Sequence, residues 1–236
     1  MHYISEDKKI ELFNCDNIDL MKKYPDKYFD LAIVDPPYGE NDAIDLKNNE
    51  GIKKQASKRK KYIQFENIAP PEEYWNELFR VSKNWIVWGG NFFGLKGGAI
   101  VWNKNGTAFG EAEIAICSTH KSVRIFEYTW NGMIQADMKN KEVRIHQTQK
   151  PVALYKYILT NYAKPDYKIL DTHFGSLSIG LACHDYGFNL VACELLPEIY
   201  SSGLERLINH KKQARISIFD QHQAENFQQL MFDEEK

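Results

Sequence analysis

Short apolar runs alternate with amphipathic stretches along most of the chain, and this alternation predicts the secondary structure. Runs rich in aliphatic and aromatic residues predict strands at 9–14, 30–35, 84–90, 98–104, 112–119, 167–175 and 188–195. Stretches of helical period, several opened by proline or acidic residues, predict helices at 16–24, 71–82, 151–163, 176–187 and 197–213. The alternation of strands and helices is typical of a layered α/β fold.

Two long polar segments interrupt this pattern, and a third polar stretch ends the chain. We expect one domain over 1–236, in which 39–69 forms a mobile basic loop, 104–147 contacts the substrate and 222–236 is a flexible tail. Within the first segment, residues 52–61 carry six basic side chains and no acidic one. A solvated surface is the ordinary interpretation of such a run, unless the nearby chemistry concerns nucleic acid.

The composition limits the class of protein. The 236 residues are 43% hydrophobic, and no apolar run approaches the roughly 20 residues that a membrane helix needs. The first ten residues are polar and lack the features of a signal peptide, so we expect an intracellular protein. The four cysteines are far apart, which favours buried thiols over zinc ribbons or disulfides. The net charge of −2 argues mildly against a nucleic-acid binder.

The strand predicted at 30–35 ends in an unusual way. The apolar run Leu31–Val34 is followed by Asp35-Pro36-Pro37-Tyr38. One interpretation is a turn that ends the strand and leaves a tyrosine on the surface. The other is a catalytic motif, in which two prolines fix the backbone angles and so hold a carbonyl group in place. The four residues by themselves do not decide between the two.

A second signal lies near the end of the chain, where a strand, a turn of small residues and a helix follow one another. The turn contains Gly175 and Ser176, and the next strand ends at Glu194. This spacing is close to the roughly 20 residues between a nucleotide-binding glycine turn and its ribose-binding acid. The dinucleotide pattern G-x-G-x-x-G is absent, which favours a nucleoside without phosphates, such as S-adenosylmethionine. An ordinary βαβ crossover remains the alternative.

Together, the motifs D-P-P-Y at 35–38, T-Q-K-P at 148–151, I-L-D-T-H-F-G-S at 169–176 and V-A-C-E at 191–194 resemble the amino-methylating DNA methyltransferases. The order of the motifs is similar to the permuted class, in which the catalytic motif precedes the cofactor motif. The resemblance covers nearly the whole chain. It implies a Rossmann-like, circularly permuted fold with a seven-stranded, mostly parallel sheet, one antiparallel strand and helices on both faces.

The resemblance also implies a reaction, which is methyl transfer from S-adenosylmethionine to an amino group of a base flipped out of DNA. Asp35 and the carbonyl of Pro36 would accept hydrogen bonds from that amino group, Pro37 would fix the carbonyl, and Tyr38 would stack on the base. D-P-P-Y goes mostly with adenine N6 in this family, so we expect adenine. Cytosine N4 and RNA are the alternative substrates.

For the cofactor, the resemblance implies contacts from nine residues: Asp16, Thr148, Lys150, Asp171, His173, Phe174, Gly175, Ser176 and Glu194. The family pattern D-P-F-x-G-S-G-T is changed here, with Thr172, His173 and Leu177 in place of the proline, the aromatic residue and the second glycine. This change keeps a second hypothesis open, that of a non-catalytic nucleic-acid-binding relative.

The expected partner is double-stranded DNA, with a possible homodimer and with neither a membrane nor a metal ion. Within 104–147 we expect a small target-recognition segment. Basic side chains are the candidates for phosphate or base contacts, and they are Lys53, Lys54, Lys58, Arg59, Lys60, Lys61, Arg124 and Arg144. A restriction-modification role is an expectation that follows from the family.

Overall fold

A computed structural model describes residues 1–39, 67–106, 110–130 and 134–213. The basic side chains from Lys53 to Lys61 and the tail at 222–236 lie outside the described residues, so their predicted roles stay predictions. Within the described ranges, nine strands form one sheet: β1 His2–Ile4, β2 Ile10–Asn14, β3 Phe29–Val34, β4 Ser82–Trp88, β5 Gly98–Asn103, β6 Ala112–Cys117, β7 Val123–Glu127, β8 Lys168–Asp171 and β9 Asn189–Glu194.

The helices are α1 Asn17–Met21, α2 Glu72–Val81, α3 Val152–Tyr162, α4 Ser178–Tyr186 and α5 over 197–213, with a short 3-10 turn at Gly90–Phe93. Every predicted strand and helix is present, and most bounds differ by one to three residues. The α/β fold predicted from the alternation is therefore confirmed. No helix within the described ranges combines the length and apolar character needed to cross a bilayer.

The strand order in the sheet is β1-β2-β9-β8-β3-β4-β6-β5-β7. The inner strands β2, β9, β8, β3 and β4 run parallel, β6 is antiparallel to both of its neighbours, and β7 is parallel to β5. In the chain, β3 precedes β8 and β9, although it pairs beside β8. The strand that carries D-P-P-Y therefore lies next to the strand that carries the glycine turn.

For the part of the chain that the structure describes, the expectation of seven strands with one antiparallel is corrected to nine strands with two antiparallel, because β1 and β7 extend the two edges. β1 has only three residues, too few to show a period. β7 has an almost uniformly exposed side-chain pattern, without the burial that makes a strand visible in sequence. Among the described residues, each of the two strands pairs with its inner neighbour alone, and backbone hydrogen bonds of this kind leave no hydrophobic pattern in the sequence.

The helices cover both faces of the sheet and divide the core in two. On one face, buried side chains of α3, α4 and α5 pack against Leu31 and Ile33 of β3. On the other face, α1 and α2 pack against Ala32 and Val34 of the same strand. Because both faces of β3 are buried, its sequence is a continuous apolar run. The run ends at Val34, where the chain reaches the edge of the sheet and its next residues become available for chemistry.

Candidate active site

Asp35 follows the last residue of β3, and both of its carboxylate oxygens have partners. Oδ1 accepts a hydrogen bond from the hydroxyl of Tyr38 at 2.7 Å, and Oδ2 lies 2.5 Å from Nζ of Lys150. Pro36 is buried and Pro37 half-buried beside them. The motifs D-P-P-Y and T-Q-K-P, which are 115 residues apart at Asp35 and Lys150, thus meet in one ion pair.

Lys150 belongs to a row of four alternating charges. Its ammonium group also lies 3.0 Å from Oε2 of Glu113, and the other oxygen of Glu113 pairs with Nζ of Lys104. The side chain of Lys150 is 3% exposed and that of Lys104 is 10% exposed. The order is Asp35, Lys150, Glu113, Lys104, with two negative and two positive groups. We call these four side chains the charge row.

The charge row has clear electrostatic consequences. Burial alone would lower the pKa of Lys150, but the carboxylates of Asp35 and Glu113 raise it above its ordinary value. Burial alone would raise the pKa of Glu113, but the ammonium groups of Lys150 and Lys104 lower it to about 2. Lys150 and Glu113 are therefore ionised throughout the pH range in which proteins usually work.

Sequence reasoning missed Glu113 and Lys104, although a signal was present. Glu113 is in phase with Ala115 and Cys117, which are buried residues of β6. Lys104 is in phase with the buried Trp102 of β5. Since alternate residues of a strand point to the same face, each charge belongs to the buried face of its strand. A charge on a buried face needs a partner of opposite charge, and Glu113 and Lys104 are such partners for each other.

Tyr38 lies in an aromatic corner that is formed by the turn after β4. Its ring is stacked on Phe92, with centroids 5.1 Å apart, and lies edge-on to Phe93 at 6.2 Å. Gly89 has a φ of +64°, and a Cβ there would lie 2.3 Å from the Tyr38 ring. Phe92 is 41% exposed and extends the aromatic surface of Tyr38 towards solvent. Phe92 is a further candidate for base contact that the sequence reasoning did not identify.

The glycine turn follows β8 and is tied to the end of β9. The N–H of Gly175 donates to Oε2 of Glu194 at 3.1 Å, and the other oxygen of Glu194 accepts from Leu196 N–H at 3.1 Å. Gly175 has a φ of +50°. A carboxylate offers about four acceptor sites, and the backbone N–H groups of Gly175, Leu195 and Leu196 use three of them, which leaves acceptor capacity for a ligand. Glu194 therefore lies where the spacing predicts it, beside the turn.

Asp16 follows β2, the strand that pairs with β9. Its carboxylate caps α1 by accepting from the N–H groups of Ile18 at 2.8 Å and Asp19 at 3.2 Å. The side chain is exposed at the same edge of the sheet as Glu194. Capping is a structural role, and contact with a cofactor stays a prediction.

His173 is held by three neighbours at the bottom of the turn. Nε2 lies 2.9 Å from the amide nitrogen of Asn17, and Nδ1 lies 2.9 Å from Oγ1 of Thr172, which in turn is 2.8 Å from the hydroxyl of Tyr74. An amide nitrogen donates only, so Nε2 accepts and Nδ1 carries the proton. Burial lowers the pKa of His173 to about 4, so the ring is neutral at pH 7.

The side chain of Phe174 points into the core. It is 4% exposed and packs against the ring of Tyr200 at 5.7 Å. Leu177, which replaces a family glycine, is fully buried with a φ of +58°. It packs against Gly180 and Gly203, where a Cβ would lie 2.6 Å and 3.2 Å from the leucine side chain. The larger residue is therefore accommodated inside the core by two glycines.

The segment that leads into α3 is braced from several sides. Nδ1 of His146 lies 3.2 Å from Oγ1 of Thr148, and its ring is near Gly175. Burial lowers the pKa of His146 to about 4. The side chain of Gln149 accepts from Ile145 N–H at 2.9 Å. Thr148 is thus close to the glycine turn, whereas the ammonium of Lys150 is directed at Asp35 and Glu113.

A half-buried arginine, Arg206 of α5, joins this segment to the turn. It donates to the carbonyl of Ser176 at 2.8 Å and to Oγ of Ser178 at 2.9 Å, and it pairs with Glu142 at 2.6 Å. Glu142 also accepts from the N–H of Val152 at the start of α3. The carbonyl of Ser176 is therefore already hydrogen-bonded within the protein. Sequence reasoning gave no role to Arg206.

The two described arginines predicted to contact DNA lie apart. The guanidinium group of Arg144 donates to the carbonyls of His146 and Gln147, close to the site. Arg124 is in β7, paired with Ile100. Its charge acts on the pKa of Tyr162, the last residue of α3, whereas Lys150 lies just before the first residue of that helix. The structure does not bring Arg124 to the carboxyl edge of the sheet. Strands β6 and β7, moreover, occupy the middle of the segment 104–147.

Three acidic groups, Asp35, Asp171 and Glu194, come close together at this edge. Burial raises the pKa of Asp171 to about 8, and the charges of Asp35 and Glu194 add to the effect. Burial also raises the pKa of Glu194. A cationic ligand would relieve this repulsion. S-adenosylmethionine carries a positively charged sulfonium, so the acidic edge and the turn at Gly175 fit that cofactor. No group of three or more possible metal-ligating side chains occurs in the described part of the chain.

Comparison with known proteins agrees with this site. Residues 118–205, which contain T-Q-K-P, the glycine turn and Glu194, match the family model N6_N4_Mtase, described as DNA methylase. This part of the chain is therefore similar to the amino-methylating DNA methyltransferases, the family that the motifs resemble. The permuted arrangement stays a prediction.

Solved structures of DNA methyltransferases share the fold. M1.HpyAVI in complex with SAM aligns with a TM-score of 0.53 and 18% identity, over 84% of this chain and 100% of that chain. TTHA0409 from Thermus thermophilus, a candidate DNA modification methylase complexed with S-adenosyl-L-methionine, gives 0.53 and 13%, over 84% and 93%. The cytosine-N4-specific PvuII DNA methyltransferase gives 0.54 and 11%, over 87% and 92%.

Proposed function

We propose that this protein transfers a methyl group from S-adenosylmethionine to the N6 amino group of a flipped adenine in DNA. The observation that carries the proposal is the contact between Asp35 and Lys150, which joins the D-P-P-Y motif to the T-Q-K-P motif beside the glycine turn. The acidic edge around Asp171 and the anchoring of Gly175 by Glu194 support the choice of cofactor.

The chemistry requires a hydrogen-bond acceptor where positive charge develops. The lone pair of an adenine amino group is delocalised into the ring, and it becomes available as the nitrogen moves towards tetrahedral geometry. The cofactor supplies a methyl group on a positively charged sulfur. Asp35 and the carbonyl of Pro36 accept from the two N–H groups, and this stabilises the growing charge on nitrogen. Tyr38 and Phe92 offer aromatic surface to the flipped base.

The arriving base must compete for Oδ1 of Asp35. That oxygen accepts from the hydroxyl of Tyr38 at 2.7 Å, while Oδ2 remains paired with Lys150. We expect the tyrosine hydroxyl to leave Oδ1 when the amino group binds, so that one hydrogen bond is exchanged for another. The exchange keeps the carboxylate oriented before and after the base enters.

The inward packing of Leu177 weighs against the alternative of a non-catalytic relative, because the departure from the family pattern is absorbed by Gly180 and Gly203. The choice of adenine over cytosine N4 rests on Asp35, since D-P-P-Y in the family goes mostly with adenine. Both nucleotides present an amino group to such a site.

The test is transfer of tritiated methyl groups to unmethylated DNA, followed by digestion to nucleosides and chromatography. We expect label in N6-methyldeoxyadenosine, and none with Asp35→Ala. Label in N4-methyldeoxycytidine would support methyl transfer to an amino group but would identify cytosine instead of adenine as the target base. Cofactor binding measured by calorimetry, with no transfer to diverse DNA by folded protein, would reject the proposal. DNA binding without any cofactor binding would favour the non-catalytic relative.

A further inference from the structure

The function proposed above assigns no role to Glu113, yet its carboxylate pairs directly with Lys150. It lies on β6 in phase with Ala115 and Cys117, whose side chains pack in the same part of the core as α3. Its carboxylate joins two ammonium groups, Lys150 and Lys104, of which Lys150 is bound to Asp35. Ionised side chains are expensive to bury, so this arrangement calls for a physical reason.

The reason lies in the charge that Asp35 presents to a base. A buried ammonium group 2.5 Å from Asp35 would by itself cancel much of the field of that carboxylate at the reacting nitrogen. A second carboxylate on the far side of the ammonium restores the negative balance, and Lys104 neutralises the end remote from Asp35. Asp35 is thereby fixed in orientation without losing its ability to stabilise positive charge.

We propose that Glu113 is a positioning residue for methyl transfer, which acts by holding Lys150 charged and aimed at Asp35. The inference rests on the proposed function for its catalytic consequence. Its structural part, the effect of Glu113 on Lys150, can be measured without any reaction. Glu113 is joined to Asp35 through Lys150, so its effect on the reaction passes through that ammonium group.

Several groups surround Lys150 and set its titration. Asp35 and Glu113 favour its charged form, and burial opposes that form. The aromatic face of Trp88 lies 5.2 Å from Nζ. The other titratable groups whose charges interact within this cluster are Lys104, His146, Tyr155 and Asp171. Removing only the charge of Glu113 leaves all the others in place, so any shift is assigned to that charge.

The test compares the wild type with Glu113→Gln, because glutamine keeps the length and hydrogen bonding of glutamate but lacks its charge. Glu111→Gln is the matched control, because Glu111 is an exposed acid that lies two residues before Glu113 and directly precedes β6. The first measurement is the titration of the Lys150 ammonium by nitrogen-15 NMR in protein without cofactor or DNA. The signal is assigned with Lys150→Arg.

In the NMR titration we expect the Lys150 ammonium signal of E113Q to begin to disappear at least about one pH unit below that of the wild type, and that of E111Q to match the wild type. In single-turnover methyl transfer we expect E113Q to slow the step by roughly tenfold, less than the loss of a group that contacts the reacting atoms directly. The dissociation constants for cofactor and DNA stay unchanged, and the alkaline limb of the rate moves to lower pH.

The outcomes separate the two proposals. A wild type that transfers no methyl group rejects the proposed function, while the NMR arm still judges the link from Glu113 to Lys150. An active wild type with an E113Q variant that matches it in rate and in Lys150 titration overturns the inference. If E113Q does not fold, Glu113→Asp takes its place, because the shorter acid keeps the charge but withdraws it. We then expect a smaller shift and a partial loss of rate, and wild-type values in both would again overturn the inference.

Discussion

The side chain of Leu177 occupies the space that a Cβ at position 180 would need, with Cγ only 2.6 Å from that point. Leu177 adopts a left-handed backbone conformation, at φ +58°, that costs about 1–2 kcal/mol for a residue with a Cβ. The same side chain is fully buried, and deletion of a buried leucine side chain costs about 2–5 kcal/mol. Burial therefore exceeds strain, which explains how the chain retains a leucine at a position that suits glycine.

The first prediction concerns this pair. Leu177→Gly relieves the backbone but empties the core, so we expect it to destabilise the fold by about 1–3 kcal/mol in urea unfolding. Gly180→Ala in the wild type forces a clash with Leu177 and is also destabilising. In the L177G background the added methyl has room, so the double-mutant cycle shows a favourable coupling. Additive effects would contradict the packing described here.

The second prediction separates the effect of backbone strain from the effect of contact with Tyr38. Gly89 and Gly94 have φ values of +64° and +65°, but a Cβ at Gly89 would meet Tyr38 at 2.3 Å, and one at Gly94 would meet nothing within 4 Å. Alanine at either position carries a similar backbone penalty. We expect Gly89→Ala to displace Tyr38 and lower the methyl-transfer rate by about 100-fold, as for a lost contact to the reacting group. Gly94→Ala reports the effect of strain alone, and equal rates in the two variants would refute the assignment.

A third prediction follows from the raised pKa of Asp171, about 8, which leaves this carboxyl mostly protonated at pH 6.5. A cationic ligand favours the ionised form, so its binding lowers that pKa and releases a proton. At pH 6.5 the amino group of S-adenosylmethionine is itself charged, since α-amino groups titrate near 7.7–8.0, about one unit higher. Calorimetry in buffers of different ionisation enthalpy should show release of up to about one proton.

The pH dependence supplies the control for this prediction. Above the pKa of about 8, at pH 9, Asp171 is already ionised, and the release should vanish. Asp171→Asn should abolish it at pH 6.5 in any variant that still binds the ligand. Binding with no dependence on the buffer at pH 6.5 would place the ligand away from Asp171.

The fourth prediction concerns the ion pair of Arg206 and Glu142, whose side chains are 13% and 19% exposed. Arg206→Met leaves the carboxylate of Glu142 unpaired in a largely buried place, so we expect a loss of about 3 kcal/mol in chemical denaturation. Removing both charges, with Glu142→Gln added, should recover part of the loss. The more exposed pair of Lys156 and Asp185 is the comparison, since Lys156→Met should cost less than about 1 kcal/mol. Similar losses in R206M and K156M would count against a structural role for Arg206.

Much of this protein can be predicted from its sequence. The inner strands have buried faces that leave a continuous or alternating apolar pattern, and the helices begin at recognisable residues such as Pro71 and Pro151. The motif at Asp35–Tyr38, the glycine turn and Glu194 were identified because each depends on residue types at short, local spacing.

The tertiary structure alone decided which of these residues meet. The pairing of Asp35 with Lys150, and of Lys150 with Glu113, depends on the order of β8, β3, β4 and β6 in the sheet, which sequence periodicity does not encode. The same holds for Leu177. The sequence does not show whether its side chain faces the glycine turn or the core, whereas the structure packs it in the core against Gly180 and Gly203. Local patterns fix secondary structure because they depend on neighbours in the chain, whereas the charge row forms between residues that become neighbours only on folding.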